Sequence, residues 1–215
     1  MDFDILETLA LRGGVFHNLD RHLARMRSAA LHFTRPWPAL EMTKALELLR
    51  QAKPDGDWRV RLALDAAGAV HTQVVALPST TTPVQLQLAA SPMANAVAHG
   101  PWVAFKTSRR AHYEAFAPTQ AGIFDTVLYN EDGEITEGTR GNIVMQLAGR
   151  WVTPPLACGL LPGVGRALVL EQGLVVEQVV RLQDLPRVQA WAFVNSLRGW
   201  LDAELQAEPK TKPKI

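Results

Sequence analysis

Four places in this 215-residue chain carry residue types that could do chemistry together. Lys106 closes the apolar run Trp102-Val103-Ala104-Phe105. A lysine with a partly buried stem gives up its proton more readily and becomes a nucleophilic amine. Glu137 lies in Ile135-Thr136-Glu137-Gly138-Thr139, where a strand pattern gives way to small residues. The stretch Pro154-Pro155-Leu156-Ala157-Cys158-Gly159-Leu160-Leu161-Pro162-Gly163-Val164-Gly165-Arg166 joins a strand to a helix expected over Val164 to Gln172. Gly163 and Gly165 have no Cβ, so an anion can approach the main chain closely. The first N–H groups of a helix have no partner inside it, and the helix dipole favours negative charge there. Such a start can hold a phosphate without a lysine. The fourth place is the loop Asn195-Ser196-Leu197-Arg198-Gly199, which follows another expected strand.

Each feature also has a plainer reading. Lys106 could snorkel from a strand end. Glu137 could be an exposed edge charge, and the Pro-Gly stretch an ordinary turn before an ordinary helix.

The elements that must position these residues follow from the hydrophobic pattern. Ile5 to Ala10 reads as a strand, and Arg12-Gly13-Gly14 turns it towards Val15-Phe16 as a hairpin. Leu19, Leu23, Met26 and Ala30 recur at spacings of three and four and form the apolar stripe of a helix. Arg21, Arg25 and Arg27 lie off that stripe, as a solvated face would. Leu40 to Gln51 is a second amphipathic helix. Arg59 to Asp65, Val70 to Leu77 and Val84 to Ala90 read as strands, so the first hundred residues predict two helices on an antiparallel sheet. Ser91 to Pro101 is irregular and is the expected linker, which divides the chain into a small α+β domain (1–98) and a larger α/β domain (99–215). In the second half a helix is expected over Arg109 to Phe116. Strands are expected at Asp125 to Tyr129, Glu134 to Gly138, Asn142 to Leu147, Trp151 to Thr153, Val175 to Val180 and Ala190 to Asn195. The tail Glu208 to Ile215 alternates Pro and Lys and is expected to be disordered.

The totals narrow the function classes. A net charge of +1 points to neither nucleic acid nor an anionic membrane surface. A single cysteine, Cys158, rules out an internal disulfide framework and a cysteine-based zinc cluster, and reads as a small packing residue. The six histidines lack metal-site spacing, so no metal is expected. No apolar run reaches membrane-span length. The acidic start Met1-Asp2-Phe3-Asp4 lacks the pattern of a signal peptide, so a cytoplasmic protein is expected.

An amine, a carboxylate and a phosphate cradle are together what pyridoxal 5′-phosphate requires. The amine forms a Schiff base with the aldehyde, the acid keeps the ring nitrogen protonated, and the cradle anchors the phosphate. Each part alone is common.

The chain closely resembles the fold-type IV pyridoxal-phosphate enzymes, the class IV aminotransferase family that includes branched-chain and D-amino-acid aminotransferases and 4-amino-4-deoxychorismate lyase. The resemblance is carried by Leu19-Asp20-Arg21-His22-Leu23-Ala24-Arg25-Met26, Phe105-Lys106-Thr107-Ser108-Arg109-Arg110-Ala111-His112-Tyr113, Ile135-Thr136-Glu137-Gly138-Thr139-Arg140-Gly141-Asn142 and Gly159-Leu160-Leu161-Pro162-Gly163-Val164-Gly165-Arg166. Their order and spacing agree from about Leu6 to about Leu205. The resemblance is nearest to the lyase, because Asn195-Ser196-Leu197-Arg198-Gly199 resembles the lyase version of the last phosphate loop. It implies a D-amino-acid aminotransferase-like fold. Lys106 would carry the cofactor, Glu137 would pair with the ring nitrogen, and Arg25 would reach the phosphate. The N–H groups of Val164 and Gly165, with Ser196 and the Leu197 N–H, would complete the phosphate shell. Arg109, Arg110 and Arg198 would be available for the substrate carboxylates. Gly165 stands where many members have threonine, so weaker cofactor retention is expected.

The activity implied is loss of pyruvate from aminodeoxychorismate to give 4-aminobenzoate, in the folate pathway. The resemblance also implies a homodimer and a functional pairing with aminodeoxychorismate synthase. An aminotransferase acting on a small branched-chain or D-amino acid is the alternative on the same scaffold. A non-catalytic binding protein is a third reading, but it would not need both Lys106 and Glu137.

Overall fold

The computed structural model describes residues 3–118 and 120–206; the tail expected to be disordered, 208–215, lies outside them. The elements run β1 (Ile5–Arg12), β2 (Val15–Phe16), α1 (Leu19–His32), α2 (Ala39–Ala52), β3 (Asp57–Leu64), β4 (Val70–Ala76), β5 (Val84–Leu88), α3 (Asn95–Ala98), α4 (Pro101–Ala104) and α5 (Ala111–Glu114). They continue as β6 (Ile123–Tyr129), β7 (Ile135–Gly138), β8 (Asn142–Leu147), β9 (Arg150–Thr153), α6 (Val164–Glu171), β10 (Val176–Glu177), β11 (Ala190–Asn195) and β12 (Gly199–Leu205). Short 3-10 turns occupy Leu156–Cys158 and Leu182–Arg187. The mixed α/β class expected from the sequence is the one observed.

Two sheets carry the chain. The smaller has the order β2-β1-β3-β4. β3 alternates Arg59, Val60, Arg61, Leu62, with Val60, Leu62 and Leu64 fully buried. That face packs with Ile5, Leu9 and Leu11 of β1 under Met26 and Ala30 of α1 and Met42 and Leu46 of α2. The apolar stripe of α1 is therefore the contact surface that its spacing predicted.

The larger sheet has eight strands in the order β10-β9-β8-β11-β12-β5-β6-β7. It curls: Gly138 at the end of β7 donates to the carbonyl of Gly141, and Ile135 donates to that of Val180, just past β10. Its core is built on Leu86, Val127, Ile135, Ile143, Val152 and Phe193. Among the described residues no helix is long and apolar enough to cross a membrane.

Several expectations change. Val84–Leu88 does not belong to the small sheet. It pairs in parallel with β6 and β12, so the changeover between sheets falls at 77–83, before the expected linker at 91–101. A short strand pairs wherever long-range neighbours offer an edge, which its own sequence does not encode. The run before Lys106 is a helical turn, Pro101–Ala104, opened by a proline at its start. The expected helix at Arg109 to Phe116 shrinks to Ala111–Glu114. The expected strand Val175 to Val180 keeps only Val176–Glu177, and β12 was not anticipated.

Lys106 sits where the two sheets meet. β2 covers only the Leu11–Arg12 end of β1's outer edge. At the other end Leu6 donates to the Lys106 carbonyl at 2.8 Å, Ser108 donates to the Asp4 carbonyl at 2.8 Å, and Ile5 bridges Thr107. The lysine is thus fixed by main-chain pairing with the small sheet.

Candidate active site

Between the sheets lies a cavity of about 330 Å³, at the lower end of the range typical for small-molecule sites. Lys106 and Glu137 both line it, as do Arg25, Arg110, Val164, Gly165, Ser196, Leu197 and Arg198. Nine of the ten residues singled out in the sequence are thereby brought together. Arg109 is the exception: it is absent from the wall, and its guanidinium lies over the ring of Trp102, 4.5 Å from the centroid.

Lys106 is half-buried, and its amine is lowered to about 8. Burial is the main cause, and the nearby cations Arg110 and Arg25 add to it, against the pull of Glu7 and Glu137. Glu137 is 3% exposed, and burial pushes its carboxyl up to about 8. The Tyr113 hydroxyl donates to its Oε1 at 2.6 Å, and the Leu161 N–H to its Oε2 at 3.2 Å. Lys106 and Arg110 also favour its ionised form. An amine and a carboxyl drawn towards one value from opposite sides are a common signature of a functional site. The plainer reading of Glu137 as an exposed edge charge does not hold: β7 is buried along its whole length.

The opposite end of the cavity is a cradle. The helix α6 starts at Val164 with Gly163 as its N-cap and no side chain capping it. Its first internal bond is donated by Ala167 to the Gly163 carbonyl. The N–H groups of Val164 and Gly165 are therefore not used within the helix, and both residues line the cavity. A Cβ on Gly163 would lie 1.9 Å from Asn142 Oδ1. One on Gly165 would lie 2.6 Å from the Asn195 carbonyl carbon and 2.8 Å from the Ser196 nitrogen. Gly165 thus does more than forgo a threonine hydroxyl: it lets the 195–196 loop press against the helix start.

Arg25 reaches this end from α1. Its Nε and Nη2 donate to Glu7 at 2.8 and 2.7 Å, and its Nη1 donates to the Pro162 carbonyl at 2.9 Å. Three of its five N–H donors are used, and the others remain for a cavity anion. Arg25 therefore lies on a structured face, and the solvated-face reading fails for it. A guanidinium, uncapped helix N–H groups and two Cβ-free approaches form a donor set that fits a phosphate.

The remaining wall is basic. Arg59 and Arg61, exposed on β3, and Arg140 line it with Arg110 and Arg198. Arg110 donates to the Thr139 carbonyl and lies over the Tyr113 ring. Arg198 bonds the Pro78 carbonyl at 3.0 Å and the Thr80 hydroxyl. Burial lowers its guanidinium, with help from the like charges of Arg140 and Arg59. Among the described residues no group of three His, Cys, Asp or Glu is arranged to hold a metal.

Sequence reasoning missed Glu7, His22, Tyr113, Arg59, Arg61 and Arg140. Glu7 was legible in retrospect: it is a carboxylate in the helix-facing register of Ile5, Leu9 and Leu11. His22 and Arg25 share one face of α1 at a spacing of three. Tyr113 gave no local signal, because only the fold brings it to Glu137.

The chain is similar to known proteins over nearly its whole length. A family model described as "Amino-transferase class IV" matches residues 4–204. A Schizosaccharomyces pombe protein described as "Putative aminodeoxychorismate lyase" is 33% identical over 96% of this chain and 91% of its own length. The crystal structure of a "Putative amino-acid aminotransferase" from Mesorhizobium loti superposes with a TM-score of 0.87 at 31% identity, covering 95% of this chain and all of that one. An aminotransferase from Mycobacterium tuberculosis described as hypothetical, in its PLP-bound form, has a TM-score of 0.76 at 22% identity, covering 97% of this chain and 84% of that one.

Proposed function

From the premise that this chain belongs to the class IV aminotransferase family, we propose that it is a lyase using pyridoxal 5′-phosphate to release pyruvate from 4-amino-4-deoxychorismate and leave 4-aminobenzoate. The observation that carries the reading is the pairing of Lys106 and Glu137 in one cavity with an uncapped helix start at one end and five arginines along the wall. The cofactor supplies an aldehyde that a lysine amine can bond and a ring that takes up electrons when a proton leaves the carbon bearing the substrate nitrogen.

The residues divide the remaining work. Lys106 would hold the cofactor, and its amine would serve as the general base for the C4 proton of the substrate. A value of about 8 leaves a useful fraction of its amine unprotonated near neutral pH. Glu137, held by Tyr113 and the Leu161 N–H, would pair with the ring nitrogen and keep a proton there. Arg25, the N–H groups of Val164, Gly165 and Leu197, and the Ser196 hydroxyl would bind the phosphate. Arg110 and Arg198, with Arg59, Arg61 and Arg140, suit a substrate with two carboxylates. Arg109 lies over Trp102 rather than on the cavity wall. The S. pombe relative described as "Putative aminodeoxychorismate lyase" supports this reading. The reading includes a cytoplasmic homodimer, with a synthase that supplies the substrate.

A second reading is favoured by the M. loti likeness: an aminotransferase on a small branched-chain or D-amino acid. The test supplies chorismate, glutamine and a synthase, and measures 4-aminobenzoate with the intact protein and with Lys106→Ala. Product that depends on Lys106 supports the lyase. No product, together with stable conversion of the bound cofactor by one amino acid from a panel, supports the aminotransferase.

A further inference from the structure

A polar cluster closed to solvent lies behind the phosphate end of the cavity. Glu7 and His22 are both 0% exposed. Glu7 takes two bonds from Arg25, and its Oε2 also meets His22 Nδ1 at 2.6 Å. The other ring nitrogen, Nε2, lies 2.8 Å from Ser196 Oγ. Two groups on the cavity wall, the Arg25 guanidinium and the Ser196 hydroxyl, are thus joined underneath through Glu7 and His22.

The proton count in this chain is constrained. Burial alone would raise the Glu7 carboxyl, but the charge and hydrogen bonds of Arg25, with those of His22, hold it below its ordinary value. Glu7 is therefore an acceptor, and His22 Nδ1 must carry a hydrogen. With a neutral ring, Nε2 is bare and accepts the Ser196 O–H. Ser196 then turns only lone pairs to the cavity, which repel an anion. With a second proton on the ring, Nε2–H donates to Ser196 Oγ, and the Ser196 proton is released to bond the anion. Both arrangements satisfy every buried partner. Among the described residues, Glu7 from β1 bonds the ring, and Arg25, from the ring's own helix, bonds Glu7; Lys106, beside β1, interacts with both.

We propose that binding a phosphate group at this cavity takes up a proton from solvent at His22, with Glu7 as its counter-ion and Ser196 as the donor this frees. His22 and Glu7 are positioning residues, since neither lines the cavity. The inference rests on the reading of this end of the cavity as a phosphate cradle.

The test uses the full chain freed of cofactor and the probe pyridoxine 5′-phosphate, an alcohol that cannot bond covalently to Lys106. Calorimetry at about pH 8, where the phosphate is a dianion, in two buffers of different ionisation heat counts the protons taken up. Ser196→Ala and His22→Gln are expected to take up fewer protons than the wild type, by as much as a full proton, and to bind more weakly. Ser196→Thr, which keeps the hydroxyl, is expected to retain the uptake. Should His22→Gln fail to fold, the two half-buried Ser196 variants carry the comparison alone. Equal uptake in wild type and Ser196→Ala, with binding intact, overturns the proton linkage and leaves the cradle standing. No binding by the wild type overturns both.

Discussion

The Tyr113 hydroxyl stands 2.6 Å from Glu137 Oε1 and donates to it in a buried setting. The bond comes from a four-residue helix that follows Lys106 closely, so the segment that carries the amine also tunes the acid. Burial raises the Tyr113 hydroxyl well above its ordinary value, and Glu137 adds to this, so it remains a donor across the working range.

Tyr113→Phe removes that donor and leaves Glu137 with the Leu161 N–H. Unpairing a buried polar group costs about 1–3 kcal/mol, so kcat/KM is expected to fall roughly ten- to a hundredfold. The bond favours the ionised carboxylate, so its loss pushes Glu137 higher and moves the rising limb of the pH profile upward. A profile of unchanged position in the variant would remove Tyr113 from the account.

The Lys106–Glu137 pair also gives the cofactor-free protein a particular stability profile. Glu137 is raised from 4.5 to about 8, so between those values the folded state holds a proton that the unfolded state has lost, and stability falls as pH rises. Lys106 is lowered from 10.5 to about 8, so between those values the unfolded state holds the extra proton, and stability rises with pH. Thermal melts are expected to show the pair's contribution at its lowest near the crossing. Glu137→Gln should gain stability relative to the wild type as pH goes from 5 towards 8. A difference independent of pH contradicts this.

Gly165 tests the cradle. If the missing threonine hydroxyl were the main consequence, Gly165→Thr would tighten cofactor binding. The closeness of Asn195 and Ser196 predicts the reverse: the loop must move, the helix start loses its neighbour, and the affinity for pyridoxal 5′-phosphate falls. Titration followed by the cofactor's absorbance separates the two outcomes.

The basic wall tests the choice of substrate. Arg59 and Arg61 are exposed beside the cavity and play no part in holding Lys106. Replacing both with serine is expected to raise KM for a two-carboxylate substrate several-fold while leaving cofactor affinity unchanged. An unchanged KM would move substrate recognition elsewhere.

Much of this site was legible in the sequence because its chemistry sits on local signals. The glycines before α6 and the helix they open are short-range patterns, and the structure uses them as expected; the spacing of Arg25 on α1 suggested a solvated face, and only the resemblance pointed it to the cavity. What escaped depends on distant pairings. β5 joins the larger sheet because β6 and β12 offer it edges, and nothing within Val84–Leu88 specifies that. Arg109 and Arg110 are neighbours in sequence, yet one lies over Trp102 and the other on the cavity wall. Glu7 was hidden because a carboxylate in an apolar strand reads as an interruption until His22 and Arg25 are seen beside it.

The central claim is that the Lys106 amine bonds the cofactor. The direct measurement is to load the protein with pyridoxal 5′-phosphate, reduce it with borohydride, and locate the label by peptide mass spectrometry. The account predicts a single labelled site at Lys106, lost in Lys106→Ala. A label on another lysine, such as Lys44 or Lys53, with Lys106 unmodified, would contradict it.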